Sequence, residues 1–238
     1  CLDQRGHGES EWVPSGNYDF TDYAKDLVAV SQQVAERHGV QPVLVGASLG
    51  GLAGMTAEGS ISPGCLAALV LVDITPRMDL GGVNKILGFM AERVEDGFGT
   101  VEEAADAISL YLPNRKRPSD LSGLSKNLRL HDDGRYRWHW DPKFITSKHG
   151  RGDSKTEEAH QVLLKAAANL KLPVLLVRGR NSELVSKEHV QEFMELVPHA
   201  RFADIKNAGH MVAGDRNDVF AEAVQLFLDD LFAHSRAS

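Results

Sequence analysis

The chain has 238 residues, of which 42% are hydrophobic and 25% are charged, and its formal net charge is −7. These values are typical of a globular protein with a sizeable core, and the acidic balance argues against a general nucleic-acid-binding protein. The sequence contains no run of about 18 apolar residues, so no membrane span is predicted. The two cysteines, Cys1 and Cys65, are too few for a disulfide framework, which favours a reducing compartment and a cytoplasmic location.

The first predicted helix covers residues 21–37, after a polar turn at residues 4–10 that follows the end of a strand. Asp19 or Thr21 is a candidate N-cap, and Gly39 predicts the end of the helix. The helical spacing is carried by apolar side chains at Tyr23, Leu27, Val30 and Val34.

A short apolar run at residues 43–45 predicts the next strand, buried on both faces. It leads into a G-x-S-x-G motif formed by Gly46, Ser48 and Gly50, and a helical pattern then runs from residue 49 to about residue 58. A strand before the motif and a helix after it are the context that a nucleophile elbow requires.

The motif predicts a sharp turn with Ser48 at its strained centre. Gly46 and Gly50 lie two positions to either side, where a side chain would clash with the turn. Ser48 Oγ would stand clear of the sheet, and the N–H of Leu49, at the start of the helix, would serve as an oxyanion donor.

Three more strands are predicted, at residues 65–72, 174–177 and 201–205. Helical patterns at residues 187–196 and 217–232 follow the second and third of these strands. Strands that alternate with helices predict a parallel sheet covered by helices on both faces.

The alternation is interrupted between residues 77 and 167, where helical patterns appear at 83–93 and 101–111 and no strand is predicted. The segment also contains a turn at Asp133-Gly134 and an aromatic stretch at residues 136–140. We interpret it as a mostly helical insertion, because it has apolar periodicity of its own. The predicted domains are a core of residues 1–76 and 168–238 and a helical cap of residues 77–167.

Four sequence segments together resemble the α/β-hydrolase superfamily, in the serine-hydrolase branch with a cap after the sixth strand. They are residues 3–10, the elbow at Ser48, residues 73–76 and residues 207–211. The resemblance implies an α/β fold with a mostly parallel sheet flanked by helices. The family's first strands and the loop with its second oxyanion donor do not precede residue 3, so we expect an N-terminally incomplete sequence.

The resemblance assigns the chemistry of acyl transfer to two side chains. Ser48 would attack a carbonyl carbon, and His210, in a loop after the last strand, would act as general base and then general acid. Two carboxylates are candidates for the acid that orients His210. Glu183 follows the strand predicted at residues 174–177, which corresponds to the family's seventh strand. Most family members carry the acid there, and we prefer Glu183. Asp73 follows the strand at residues 65–72, which corresponds to the family's sixth strand, where some relatives carry the acid.

The predicted function is hydrolysis of a small-molecule carboxylic ester or related acyl bond through an acyl-enzyme, without a cofactor or a metal ion. A serine at the elbow separates the chain from the relatives that use an aspartate there and form an alkyl ester. The alternatives with the same triad are a C–C bond hydrolase, a lactonase and a cofactor-free perhydrolase. A different alternative is a ligand-binding module on this fold that does not turn its ligand over.

Overall fold

The structure is a computed structural model that describes residues 1–113, 115, 117–146 and 153–235. Its helices are α1 (Phe20–His38), α2 (Leu49–Thr56), α3 (Leu80–Ala91), α4 (Val101–Tyr111), α5 (Ser122–Ser125), α6 (Lys143–Thr146), α7 (Asp153–Ala168), α8 (Lys187–Leu196), α9 (Val212–Asp215) and α10 (Asn217–Ser235). Its strands are β1 (Val43–Ala47), β2 (Ala68–Val72), β3 (Leu128–Leu130), β4 (Tyr136–Trp138), β5 (Val174–Gly179) and β6 (Arg201–Ile205). A π-helical turn, Ala57–Ile61, continues α2.

The main sheet has the order β1-β2-β5-β6, and all three strand pairs are parallel. Every residue of β2 and β5 is buried, as expected for the central strands of a sheet covered on both faces. Side chains of the strands and of α10 form one apolar cluster, which includes Val70, Val177 and Phe227. The predicted parallel sheet flanked by helices is confirmed.

The predicted helix boundaries agree with the structure where capping signals are present. Asp19 caps α1, with its carboxylate accepting a hydrogen bond from Thr21 N at 2.9 Å. Gly39 ends the helix with a φ of 73°, in the left-handed region that glycine adopts without steric cost. Asp19 is therefore the N-cap, rather than Thr21.

The chain forms two compact units. The first, called the hairpin unit, comprises Cys1–Tyr18 and Asn84–Gly150. The second, called the sheet unit, comprises Asp19–Val83 and Arg151–Ser238 and contains the main sheet. The predicted cap of residues 77–167 spans parts of both units, and the division into core and cap stays a prediction.

The hairpin unit contains a two-stranded antiparallel sheet, β3 and β4, where the sequence predicted no strand. Phe98 extends it through two backbone hydrogen bonds with Tyr136, of 2.7 and 2.8 Å, and its ring packs edge-on against Trp138. The prediction of an insertion without strands was wrong, because three residues are too few to show alternation. The predicted turn at Asp133-Gly134 connects the two strands, and Gly134 has a φ of 76°.

Helix α7 packs against the π-helical turn within the sheet unit. A Cβ on Gly59 would lie 2.0 Å from the backbone oxygen of Ala166, and Asn169 Nδ2 donates to Gly59 O at 2.9 Å. Glycine is required at position 59 because the two helix backbones approach so closely. Within the described ranges, every helix is too short or too polar to cross a lipid bilayer.

Candidate active site

Ser48 occupies a strained turn between β1 and α2. Its φ and ψ are 47° and −117°, a conformation that a residue with a side chain adopts only when its surroundings enforce it. A Cβ on Gly46 would lie 2.6 Å from the backbone C and O of Gly50, which explains the glycine at position 46. The structure therefore contains the turn that the motif predicts.

Asp73 lies at the same edge of the sheet as Ser48. Ala47 and Val72 are paired across β1 and β2, and Ser48 N donates to Val72 O at 3.3 Å. Ser48 and Asp73 directly follow these paired residues, so both emerge at the carboxyl ends of neighbouring parallel strands. Ligands of open α/β sheets bind at this edge.

The Asp73 carboxylate is fully buried, with 0% exposure, and accepts three hydrogen bonds. Gly179 N donates to Oδ1 at 2.9 Å, and Ser182 Oγ donates to Oδ2 at 2.5 Å. His210 Nδ1 lies 2.8 Å from the same Oδ2. A buried carboxylate is costly unless it is paired and hydrogen-bonded, and these three donors satisfy it.

Of the two candidate acids, Asp73 is the one whose carboxylate contacts His210 Nδ1, at 2.8 Å, although we preferred Glu183. The backbone oxygen of Glu183 packs so tightly on Gly82 that a Cβ there would lie 2.1 Å away. The turn after β5 directs the side chain of Ser182 to the Asp73 carboxylate. The sequence does not reveal this turn, so it could not rank the two carboxylates.

Ser182 is a site residue that the sequence reasoning missed. Its Oγ accepts hydrogen bonds from Leu184 N at 3.0 Å and Val185 N at 3.2 Å. Because both N–H groups point at this oxygen, its own proton is directed to Asp73. The available signal was its place in the polar segment that directly follows the strand predicted at residues 174–177.

The loop that carries His210 is fixed from two sides within the sheet unit. Asp215 in α9 accepts a hydrogen bond from Gly209 N at 2.9 Å, and Asn181 N donates to Ala208 O at 2.9 Å. A Cβ on Gly179 would lie 2.1 Å from Gly209 O, so the end of β5 also packs directly on this loop. The His210 side chain is 15% exposed, which leaves part of the ring accessible.

Cys65 is unsuited to act as a nucleophile. Burial and the neighbouring Glu58 carboxylate raise the pKa of the Cys65 thiol to about 11, so little reactive thiolate forms near neutral pH. Glu58 instead holds the following loop, accepting from Gly64 N at 2.7 Å and Leu66 N at 3.1 Å. Among the residues that the structure describes, no three His, Cys, Asp or Glu side chains are grouped to hold a metal ion.

A family model described as the alpha/beta hydrolase family matches residues 1–223. The chain belongs to this family and is a hydrolase. Both the fold and the family predicted from the sequence are confirmed.

Two relatives illustrate the activities found among similar proteins. Esterase Rv0045c from Mycobacterium tuberculosis is 28% identical over 238 residues, which cover 96% of this chain and 74% of the esterase. The 2-(acetamidomethylene)succinate hydrolase from Mesorhizobium japonicum is 27% identical over 232 residues, covering 96% of this chain and 77% of that protein. Such relatives support ester hydrolysis as the general activity.

Solved structures give the same result. A crystal structure of E-2-(acetamidomethylene)succinate hydrolase superposes with a TM-score of 0.76 at 25% identity and covers 95% of this chain and 80% of its own. The Mycobacterium tuberculosis esterase Rv0045c superposes with a TM-score of 0.74 at 28% identity, covering 95% of this chain and 73% of its own.

Proposed function

We propose that this protein is a serine hydrolase that cleaves a small-molecule carboxylic ester or a related acyl bond. Ser48 is the nucleophile, His210 the general base and Asp73 the acid that orients His210. The observation that carries the proposal is the 2.8 Å contact between His210 Nδ1 and Asp73 Oδ2, at the sheet edge where Ser48 occupies its strained turn. The role assigned to each residue follows from this arrangement and from the chemistry of acyl transfer.

In the first half of the reaction, Ser48 Oγ attacks the substrate carbonyl carbon while His210 Nε2 takes the hydroxyl proton. Asp73 holds Nδ1–H, which fixes the tautomer in which Nε2 can accept that proton and stabilises the imidazolium that forms. Leu49 N–H, the first amide of α2, donates to the oxyanion, and the positive end of the helix adds to its stabilisation. His210 then protonates the leaving alcohol, and an acyl-Ser48 ester remains.

In the second half, His210 takes a proton from water as the water attacks the acyl-Ser48 carbonyl. The tetrahedral intermediate collapses, the acid product leaves, and Ser48 recovers its proton from His210. These reaction steps need only the chain's own residues and water. Asp73 keeps its contact with His210 Nδ1 throughout and so holds the imidazole in place for both proton transfers.

The experiment that tests the proposal is labelling with a fluorophosphonate probe, followed by mass spectrometry of the intact protein and its peptides. We expect one adduct on Ser48 and none in Ser48→Ala. The rates of p-nitrophenyl ester hydrolysis then define the preferred acyl length. A folded wild-type protein without an adduct would contradict the proposal. It would favour the alternative that the protein binds a ligand without turning it over.

A second candidate is hydrolysis of an acyl bond in a dicarboxylate. It is favoured by the likeness to 2-(acetamidomethylene)succinate hydrolase, at a TM-score of 0.76. The same three residues would carry the chemistry. Comparing kcat/KM for p-nitrophenyl acetate and p-nitrophenyl succinate distinguishes the two, since only the second ester carries a free carboxylate.

A further inference from the structure

Arg178 is a charged residue inside a strand whose other members are apolar or glycine. It lies in β5 and is 6% exposed. A buried guanidinium is costly unless its donors are satisfied. Its Nε donates to Val185 O at 2.6 Å and its Nη2 to Arg180 O at 3.4 Å, while Nη1 lies 3.5 Å from Asp204 Oδ1.

The two carbonyl groups belong to one turn, residues 180–185, and lie at its two ends. The planar guanidinium therefore fixes both ends of this turn at once, as its rigid set of donors allows. Ser182 lies inside the turn, and its N–H donates to Gly179 O at 2.9 Å.

Val185 links the guanidinium to the proposed acid. Its carbonyl accepts from Arg178 Nε, and its N–H donates to Ser182 Oγ at 3.2 Å. Ser182 Oγ in turn donates to Asp73 Oδ2. A chain of hydrogen bonds thus runs from the buried guanidinium to the carboxylate that holds His210.

We infer that Arg178 is a positioning residue: its guanidinium holds the turn of residues 180–185 so that Ser182 reaches Asp73 and fixes the Asp73–His210 pair. This inference rests on the proposed function for the catalytic roles of Asp73 and His210. The short contact of the guanidinium is with a carbonyl of the turn, while Asp204 is bound more closely by Arg180, at 2.8 Å. Arg178 therefore acts mainly on the shape of the turn, and an apolar residue at this position would leave two carbonyl groups without this donor.

The test is a double-mutant cycle on ester hydrolysis. The variants are Arg178→Met, Ser182→Ala and the double variant, with Arg180→Gln as the matched control. Arg180 is matched because its guanidinium binds the same Asp204 carboxylate but is 45% exposed. Each variant is also followed by thermal unfolding, so that rates refer to folded protein only.

We expect Arg178→Met to lower kcat by about 10- to 100-fold, the scale of a misplaced catalytic group, with little change in KM. Ser182→Ala should have a similar effect. The double variant should be no slower than the slower single variant, because both changes break the same chain of contacts. Arg180→Gln should keep the wild-type kcat.

If the loss of kcat in the double variant equals the product of the losses in the two single variants, the inference is overturned. Arg178 would then not act through Ser182. An equal loss of kcat in Arg180→Gln would also overturn it. If Arg178→Met does not fold, Arg178→Lys replaces it, because lysine keeps the charge but cannot bind both carbonyl groups at once. Its kcat should also fall, and an unchanged kcat would contradict the positioning role.

A readout that needs no turnover separates this inference from the proposed function. The proton between His210 Nδ1 and Asp73 gives a downfield NMR signal when the contact is formed. We expect this signal to move upfield or disappear in Arg178→Met and to persist in Arg180→Gln. If the wild type neither hydrolyses esters nor reacts with the probe, the proposed function fails, and this signal still decides whether Arg178 positions the pair.

Discussion

Each unit of the molecule contains a buried carboxylate with a short hydrogen bond from a hydroxyl group. In the sheet unit, Asp73 is 0% exposed and accepts from Ser182 Oγ at 2.5 Å; in the hairpin unit, Asp141 is 3% exposed and accepts from Tyr18 Oη at 2.5 Å. Their surroundings differ, because Asp73 also binds the imidazole of His210, whereas Asp141 also binds the backbone N–H of Lys143 at 2.9 Å. Burial and a short hydrogen bond are therefore common to both carboxylates. An imidazole partner at the edge of a parallel sheet is what distinguishes a candidate catalytic acid.

The largest effect that we expect comes from Asp73→Asn. An asparagine side chain can favour the wrong tautomer of His210, and kcat should fall by about 10⁴-fold, as in other triads. The measurement is steady-state hydrolysis of p-nitrophenyl acetate, with the overall fold checked by circular dichroism.

Glu183→Gln is the matched control for this prediction, because it makes the same carboxylate-to-amide change at the other candidate acid. It should leave kcat close to the wild-type value. A severe loss in Glu183→Gln with an active Asp73→Asn would reverse the assignment of the acid.

Tyr18→Phe tests the other buried carboxylate. The change removes the donor to Asp141 and the acceptor for Val13 N, which lies 3.0 Å from Tyr18 Oη. The free energy of unfolding should fall by about 1–3 kcal/mol, the cost of leaving buried polar groups unsatisfied, with kcat unchanged. Denaturant unfolding monitored by fluorescence measures the first quantity; a loss of kcat without a loss of stability would undermine the distinction between the two carboxylates.

Tyr18 also predicts how stability depends on alkaline pH. Burial and the hydrogen bond to Asp141 raise the pKa of Tyr18 from 10.0 to about 12. The contribution of Tyr18 to the free energy of unfolding is therefore fully present below pH 10 and is lost as the pH rises through about 12. The reason is that the tyrosine of the unfolded chain releases its proton at a lower pH than the tyrosine of the folded protein. Unfolding at pH 9 and pH 11 should show a smaller loss of stability in Tyr18→Phe than in the wild type, and equal losses would argue against the assigned pKa.

The smallest effect should come from an exposed ion pair of the hairpin unit. Arg117 Nε lies 2.9 Å from Asp106 Oδ1, and the Asp106 side chain is 68% exposed. Arg117→Gln should change the free energy of unfolding by less than about 1 kcal/mol, since solvent screens such pairs. Thermal unfolding at low and high salt checks this, and a large loss at low salt would show that exposed carboxylates also contribute substantially.

Much of the fold could be predicted from the sequence, because its signals are local. The helices at 101–111 and 187–196 were predicted with the bounds that the structure shows. The strands β3 and β4 were missed because each has only three residues, which is too few to show an alternating pattern. The bridge between Phe98 and Tyr136 joins distant parts of the chain and leaves no periodic pattern either.

The candidate site was predictable up to the choice of acid. Ser48 and His210 stand in motifs with strong local constraints, whereas Asp73 and Glu183 follow similar strands with similar polar turns. Asp73 reaches His210 through a backbone with a φ of 50°, and Ser182 supports it from a turn whose two end carbonyl groups bind Arg178. Neither conformation can be inferred from residue types alone.

Because glycine has no side chain, residue 179 can contact both the loop of His210 and the carboxylate of Asp73. Gly179 packs directly on the loop of His210, and its N–H donates to Asp73, so one residue contacts both members of the proposed proton-transfer pair. Ser48 follows a different strand, β1, and its N–H donates to Val72 O, next to Asp73. Under the roles proposed above, a different side chain at position 48 would meet a proton-transfer pair that is already assembled, whereas a side chain at position 179 would disturb Asp73 and His210 together.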